Sequence, residues 1–192
     1  ADGAISTPTA GTSNVRLGVN AGDSITANTN HNVLIGDEAG TALNGGDQNV
    51  AVGFEALKTE NAASNHVAVG YRALMDMDGG NANVAVGASS LENLTNASRC
   101  TAVGNAAGFH SLGADDCTFI GNEAGHFATT ATNSIFIGSK AGKGIDGTKL
   151  TGNNNIVIGE SAGLVLQGTA TDNTMVGQGA GASITTGEQN VI

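Results

Sequence analysis

Residues 49–57 read Asn-Val-Ala-Val-Gly-Phe-Glu-Ala-Leu, and residues 66–74 read His-Val-Ala-Val-Gly-Tyr-Arg-Ala-Leu. Related stretches recur along the chain, and each ends its apolar part in a glycine. The ten glycines are Gly18, Gly36, Gly53, Gly70, Gly87, Gly104, Gly121, Gly138, Gly159 and Gly177. Their period is 17 from Gly36 to Gly138, slightly longer at both ends, and longest after Gly138, where an insertion lies near residues 144–152. A regular period of this length predicts one array of repeats, not a set of separate domains.

The positions three residues and one residue before each glycine are overwhelmingly β-branched, which is typical of a pleated strand. They are Val15, Val33, Val50, Val67, Val84, Thr101, Thr118, Ile135, Ile156 and Thr174, followed by Leu17, Ile35, Val52, Val69, Val86, Val103, Ile120, Ile137, Ile158 and Val176. Residues two apart in a strand share a face, so these two columns lie on the same side. The residue between them faces the other side and, except for Arg16, is also apolar.

A short strand that is apolar on both faces has to be covered on both faces. We therefore predict an all-β protein, a parallel β-roll or β-solenoid of about ten 17-residue coils. We expect the Val and Ile columns to fill each coil and the intermediate column to meet other chains at a shared axis of a trimer. That axis column comprises Leu34, Ala51, Ala68, Ala85, Ala102, Phe119, Phe136, Val157 and Met175. The ten repeat glycines are predicted to make turns with positive φ or a close backbone approach.

The array begins at residue 14. Residues 1–13 are predicted to be an N-terminal linker or cap, and residues 14–192 a single repeat array. The last residues, Asn190, Val191 and Ile192, repeat the opening of the strand pattern. We therefore expect the array to continue beyond them.

Composition narrows the function classes. The chain has 17 acidic residues against 7 basic residues, a net charge of −10, whereas nucleic-acid recognition needs a clustered basic surface. No run approaches the roughly 18 apolar residues of a membrane span. With 40% hydrophobic and only 12% charged residues, the composition is also unlike that of disordered chains. We expect neither a nucleic-acid partner nor membrane insertion by this segment.

The stretches 49–57 and 66–74 resemble the repeats of bacteriophage tail fibres, and more distantly the heads of trimeric autotransporter adhesins. The resemblance covers residues 14–192. It implies a homotrimeric fibrous segment of the virion, outside the cell, that associates with other tail or fibre proteins and serves attachment to a host-surface receptor. The adhesin motif usually carries Ser where this chain has Asn before the strand and Ala after the glycine. This difference favours the phage fibre, and the surface of a bacterium is the alternative location.

Few residues are candidates for a catalytic, metal-binding or redox role. Cys100 and Cys117 occupy the same position of consecutive coils, four residues before the glycine, where a disulfide is possible but two small buried thiols fit better. His66 occupies this column too, and we interpret it as a hydrogen-bonding surface or turn residue. The other histidines, His31, His110 and His126, show no ligand spacing. We expect no metal and no cofactor.

The acidic residues are also interpreted as structural. Glu55 is expected to stack on Arg72, and Glu123 on Lys140, as exposed pairs worth about 0.2–1 kcal/mol each. The acids Asp76, Asp78, Asp115 and Asp116 stand in short turns, without a nucleophile or a base beside them. The sequence therefore predicts no enzymatic activity.

Overall fold

A computed structural model describes residues 13–192, and it consists of ten short strands wound into a solenoid. Every strand has three residues. They are β1 (Val15–Leu17), β2 (Val33–Ile35), β3 (Val50–Val52), β4 (Val67–Val69), β5 (Val84–Val86), β6 (Thr101–Val103), β7 (Thr118–Ile120), β8 (Ile135–Ile137), β9 (Ile156–Ile158) and β10 (Thr174–Val176). The predicted N-terminal linker or cap lies outside the described residues, except for Ser13.

The strands form one parallel sheet in which each pairs only with its neighbours in sequence, from β1 to β10. The register follows the repeat, so that Val50 pairs with Val67 and Val67 with Val84. Since parallel neighbours lie about 4.8 Å apart, each coil advances the rod by that amount. The prediction of an all-β solenoid with about ten coils is confirmed. The described part of the chain contains no helix long and apolar enough to cross a membrane.

The longer coil between β8 and β9 accommodates its extra residues in a turn. Ile145 and Thr148 form a small antiparallel bridge there, while Leu150 pairs in parallel with Ala128 of the preceding coil and Gly168 of the next. Leu150 is fully buried. The insertion therefore leaves the stacking of the neighbouring coils intact.

The middle residue of each strand points into the coil, which corrects the predicted trimer axis. The nine apolar members of this column, Leu34, Ala51, Ala68, Ala85, Ala102, Phe119, Phe136, Val157 and Met175, all have 0% exposure within a single chain. They already lie in the core and present no surface to another chain. The alternation of faces was predicted correctly, but inside and outside were exchanged.

The physical reason is the narrow interior of the coil, where a large side chain in one column requires a small residue in the facing column. Where the strand centre is Ala68, the fourth residue after the glycine is the buried Leu74. Where the strand centre is Phe119, the facing positions are glycines, and a Cβ added to Gly125 would lie 2.4 Å from the Phe119 ring. At Ala102 the fourth residue after the glycine is Gly108, and Leu91 and Phe119 of the adjacent coils occupy the space there, as close packing requires.

The two β-branched columns consequently point away from the core, and we call these two columns together the outer face. Several of their members are strongly exposed, for example Val15 at 44%, Val103 at 39% and Val176 at 57%. Others, such as Val50 and Val67, are half-buried. The outer face contains no charged side chain over the whole length of the sheet.

The repeat glycines turn the chain out of each strand, as predicted. Their φ angles lie between 129° and 143°, a region that other residues rarely adopt. They also stack closely, because a Cβ built on Gly87 would lie 2.4 Å from the carbonyl oxygen of Gly104 in the next coil. Both the φ angle and the stacking require glycine at this position.

Replacing Gly87 with Ala is therefore expected to destabilise the fold by several kcal/mol, since about 1–3 kcal/mol of backbone strain adds to a clash with backbone. Thermal unfolding followed by circular dichroism measures the effect. The matched control is Gly113→Ala, because an added Cβ there meets nothing within 4 Å and its φ is not positive. Equal melting temperatures for both variants would show that the repeat glycines are dispensable.

Candidate functional site

A buried ladder of amide side chains runs through the solenoid at the position four residues before each repeat glycine. The Asn49 side-chain oxygen accepts the backbone N–H of His66 in the next coil at 2.9 Å. Its Nδ2 donates to the carbonyl of Ala63 in its own coil at 3.1 Å. The same two bonds recur at Asn32 and Asn173. Each amide therefore joins one coil to the next and closes its own turn.

Cys100 and Cys117 take over two steps of this ladder. Both are buried and free, as the favoured interpretation predicted. The Cys100 thiol donates to the carbonyl of Ala114 at 2.6 Å, and the Cys117 thiol to that of Ala131 at 2.9 Å. The neighbouring Cys100 thiol, together with burial, raises the pKa of the Cys117 thiol well above its ordinary value, while the contact with Cys117 lowers the pKa of Cys100. Both thiols are buried and donate to carbonyl groups, so the pair replaces amide donors of the ladder.

His66 also replaces an amide in the ladder, and its interpretation as a surface or turn residue is wrong. Its side chain is fully buried. Nδ1 accepts the backbone N–H of Asn83 at 3.2 Å, so the proton of the neutral ring must lie on Nε2. Nε2 has no hydrogen-bond partner, and the nearest carboxylate oxygen, Oε2 of Glu60, is 3.8 Å away.

Glu60 is equally unusual, because it stands in an inward column filled elsewhere by Leu43, Met77 and Leu94. Its exposure is 1%. Oε1 accepts the backbone N–H groups of Ala62 at 2.8 Å and Ala63 at 2.6 Å, which compensates much of the cost of burying a carboxylate. The one coil with an acid in this column is thus followed directly by the coil that opens with His66 in the amide ladder.

The charged stacks follow the predicted columns only in part. Arg72 contacts Glu55 at 2.6 Å, as expected, but Glu123 pairs with Lys143 at 2.8 Å and not with Lys140. Lys58 lies between Glu55 and Glu38, at 2.7 and 2.5 Å, and relieves the repulsion of the two stacked acids. The hydrogen bond from Lys58, followed by that from Arg72, lowers the pKa of Glu55. These contacts stabilise the stacking and create no recessed site.

Aromatic rings on neighbouring coils also stack. The sequence analysis compared only the spacing between histidines and did not predict these contacts. Phe109 lies parallel to His126 with ring centroids 5.0 Å apart, and His110 parallel to Phe127 at 5.2 Å. Each stacked pair is separated by one full period of the repeat, so the period itself was the missed signal. Burial is the first cause that lowers the pKa of both His110 and His126.

The acids singled out in turns divide into two kinds. Asp115 accepts the backbone N–H of Ser98 at 2.7 Å, and Asp116 pairs with Arg99 at 2.6 Å, so both are structural. Asp76 and Asp78 instead stand on either side of the buried Met77, and Asp76 is half-buried while Asp78 is exposed. Between residues 13 and 192, no group of three or more His, Cys, Asp or Glu side chains could hold a metal ion.

Comparison of the chain with protein-family models, with curated proteins and with solved structures finds no match in any of the three. Functional conclusions therefore depend on the geometry of the solenoid, its outer face and its polar surfaces.

The buried His66 makes stability depend on pH. Burial lowers its pKa from the ordinary 6.5 to about 4. In the unfolded chain the ring takes up a proton as pH falls below about 6.5, while the folded chain resists until about pH 4. Stability should therefore decrease over this interval, by about 3 kcal/mol in total.

His66→Asn restores the amide ladder and should remove this part of the pH dependence, which urea unfolding between pH 7 and 4.5 at fixed protein concentration would measure. His31→Asn is the matched control, because His31 is exposed. The interpretation is wrong if His66→Asn loses as much stability on acidification as the parent chain does.

Proposed function

We propose that this chain is a structural segment of a bacteriophage tail fibre, in which three copies lie side by side and form an elongated shaft used in host attachment. The observation that carries the proposal is the outer face. It presents no charged side chain along the whole sheet, and it leaves members such as Val103 and Val176 strongly exposed in one chain. An exposed, uncharged and largely apolar surface of this kind is typical of an interaction site.

Other copies of the same chain are the partners that best fit the outer face. Every coil lengthens the rod by about 4.8 Å. Two copies side by side therefore have the same spacing, and equivalent residues can contact each other along the entire rod. The outer face comprises twenty residues, which a closed trimer divides between two contacts per chain. The absence of charge within it also keeps the net charge of −10 away from the contact.

Three chains suit the shape of the outer face. In a closed ring of three, every chain contacts two others, and cyclic symmetry leaves no apolar surface open. The two columns of the outer face, for example Val67 and Val69 in one coil, offer one column to each neighbour. The proposed fibre would lie outside the cell as part of the virion, with a host-surface receptor and other tail proteins as partners, as the resemblance of its repeats to those of tail fibres implies.

Solution mass by sedimentation or light scattering tests the assembly, with three chains expected. Val69→Asp places a charge on the outer face and should yield folded monomers, with unchanged circular dichroism. Asn61→Asp adds the same charge at an exposed turn and should leave the trimer intact. A trimer that persists in Val69→Asp, or a parent chain that is monomeric, would refute the proposed shaft.

Ala68→Asp serves as a second comparison because Ala68 is fully buried inside its coil. An aspartate there should unfold the neighbouring coils and not merely separate the chains. The pair of substitutions at adjacent positions thus distinguishes an interface from a core. Val69→Asp that unfolds like Ala68→Asp would count against an exposed outer face.

A further inference from the structure

An open groove of about 730 Å³ runs across the turns of the first five coils. Its walls are two rows of residues that flank the inward column of Leu43, Glu60, Met77 and Leu94. The lining side chains include Asn44, Thr59, Asn61, Asp76, Asp78 and Thr95. At about 4.8 Å per coil, the groove is roughly 20 Å long. It shares no residue with the outer face, so an assembled shaft would leave those residues outside the contact.

Most of the polar groups in the groove are available to a ligand. Within the described part of the chain, the side chains of Asn44, Asn61, Asp76 and Asp78 make no hydrogen bond and no ion pair. Thr59, by contrast, already donates to the carbonyls of Met75 and Met77, both at 2.9 Å. The free amides offer donors and acceptors together, and the carboxylates offer strong acceptors.

The backbone of the groove excludes an extended peptide that binds by strand addition, because its N–H groups are already used between coils. The N–H of Asn44 donates to Asn61 at 2.7 Å, that of Asp76 to Glu92 at 2.9 Å, and that of Asp78 to Thr95 at 3.0 Å. A peptide added as a strand gains its affinity from such main-chain groups. Only side chains remain for recognition here.

The charges of the groove exclude anionic ligands. No Lys or Arg lines it, while Asp76 and Asp78 would repel phosphate, sulfate or uronate groups. Their carboxylates accept hydrogen bonds from hydroxyl groups, and Asn44 and Asn61 bond hydroxyl groups in either direction. The chemistry that satisfies all four side chains is that of a ligand rich in neutral hydroxyls.

The periodicity of the groove indicates that its ligand is long. Equivalent side chains recur in each coil, as Asn44, Asn61 and Asp78 do at successive periods of the repeat. Such an array suits a linear polymer with regularly repeated hydroxyls better than a compact molecule. We propose that this groove binds a neutral glycan chain, laid along the axis of the solenoid.

This proposal concerns a surface separate from the outer face, and it holds whether or not the chain forms a trimer. The test measures binding of the parent protein to a panel of neutral oligosaccharides, made of glucose, mannose, galactose or N-acetylhexosamine units. Chain lengths run from disaccharide to hexasaccharide. Isothermal titration at low and high salt gives the affinities.

We expect at least one neutral series to bind, with affinity rising with chain length and unaffected by salt, because no charge pairing is involved. The double variant Asn61→Ala/Asp76→Ala should weaken binding about tenfold or more. The matched control is Asn122→Ala/Asp146→Ala, which removes the same two kinds of group from exposed positions outside the groove. Its affinity should equal that of the parent.

Several results would overturn the proposal. They are the absence of binding to every neutral series, equal weakening by the groove and control variants, and affinity that does not depend on chain length. Preferential binding of an anionic polysaccharide, of a peptide or of Ca²⁺ alone would do so as well. Solution mass is recorded on the same samples, so loss of glycan binding in an intact trimer is distinguished from failure of the assembly.

Discussion

The buried amide ladder is the interaction on which the rest of the solenoid depends. A buried amide is costly unless its oxygen and its nitrogen both find partners. Asn49 meets this requirement only if the next coil presents its backbone N–H at the same height, and if its own coil closes at Ala63. These two conditions set the length of the coil and the register of the strands. The glycine contacts and the stacked surface residues follow from that register.

Much of the fold could be predicted from the sequence because the regular period brings equivalent residues into neighbouring coils. A strand formed at every predicted position, and the repeat glycines have the expected positive φ. The choice of inner and outer face failed because Ala and Val are both apolar, so hydrophobicity alone cannot distinguish a core from a contact between chains. Side-chain volume can make this distinction, since Leu74 accompanies Ala68, while the glycine Gly125 faces Phe119. The strand-centre column and the column four residues after the glycine together identify the interior.

The surfaces were less predictable, because they depend on which side chains remain unpaired once the coils stack. Asp115 and Asp78 look alike in the sequence, yet Asp115 accepts a backbone N–H, whereas the side chain of Asp78 makes no hydrogen bond among the described residues. His66 looked like one more polar member of its column. Its importance emerges only when Glu60, in the preceding coil, is seen to face the same interior. Such combinations depend on three-dimensional placement, and a single column of the repeat does not contain them.

The direction of the coil-to-coil hydrogen bonds gives the rod a distinctive mechanical response. They run along the long axis, while the covalent chain winds across it, so tension along the rod is carried by successive coils in series. A coil that opens releases roughly 17 residues, which extend to roughly 60 Å in place of an advance of about 4.8 Å. A rod of this construction can therefore lengthen in steps under load and absorb work, instead of breaking at its first failed contact.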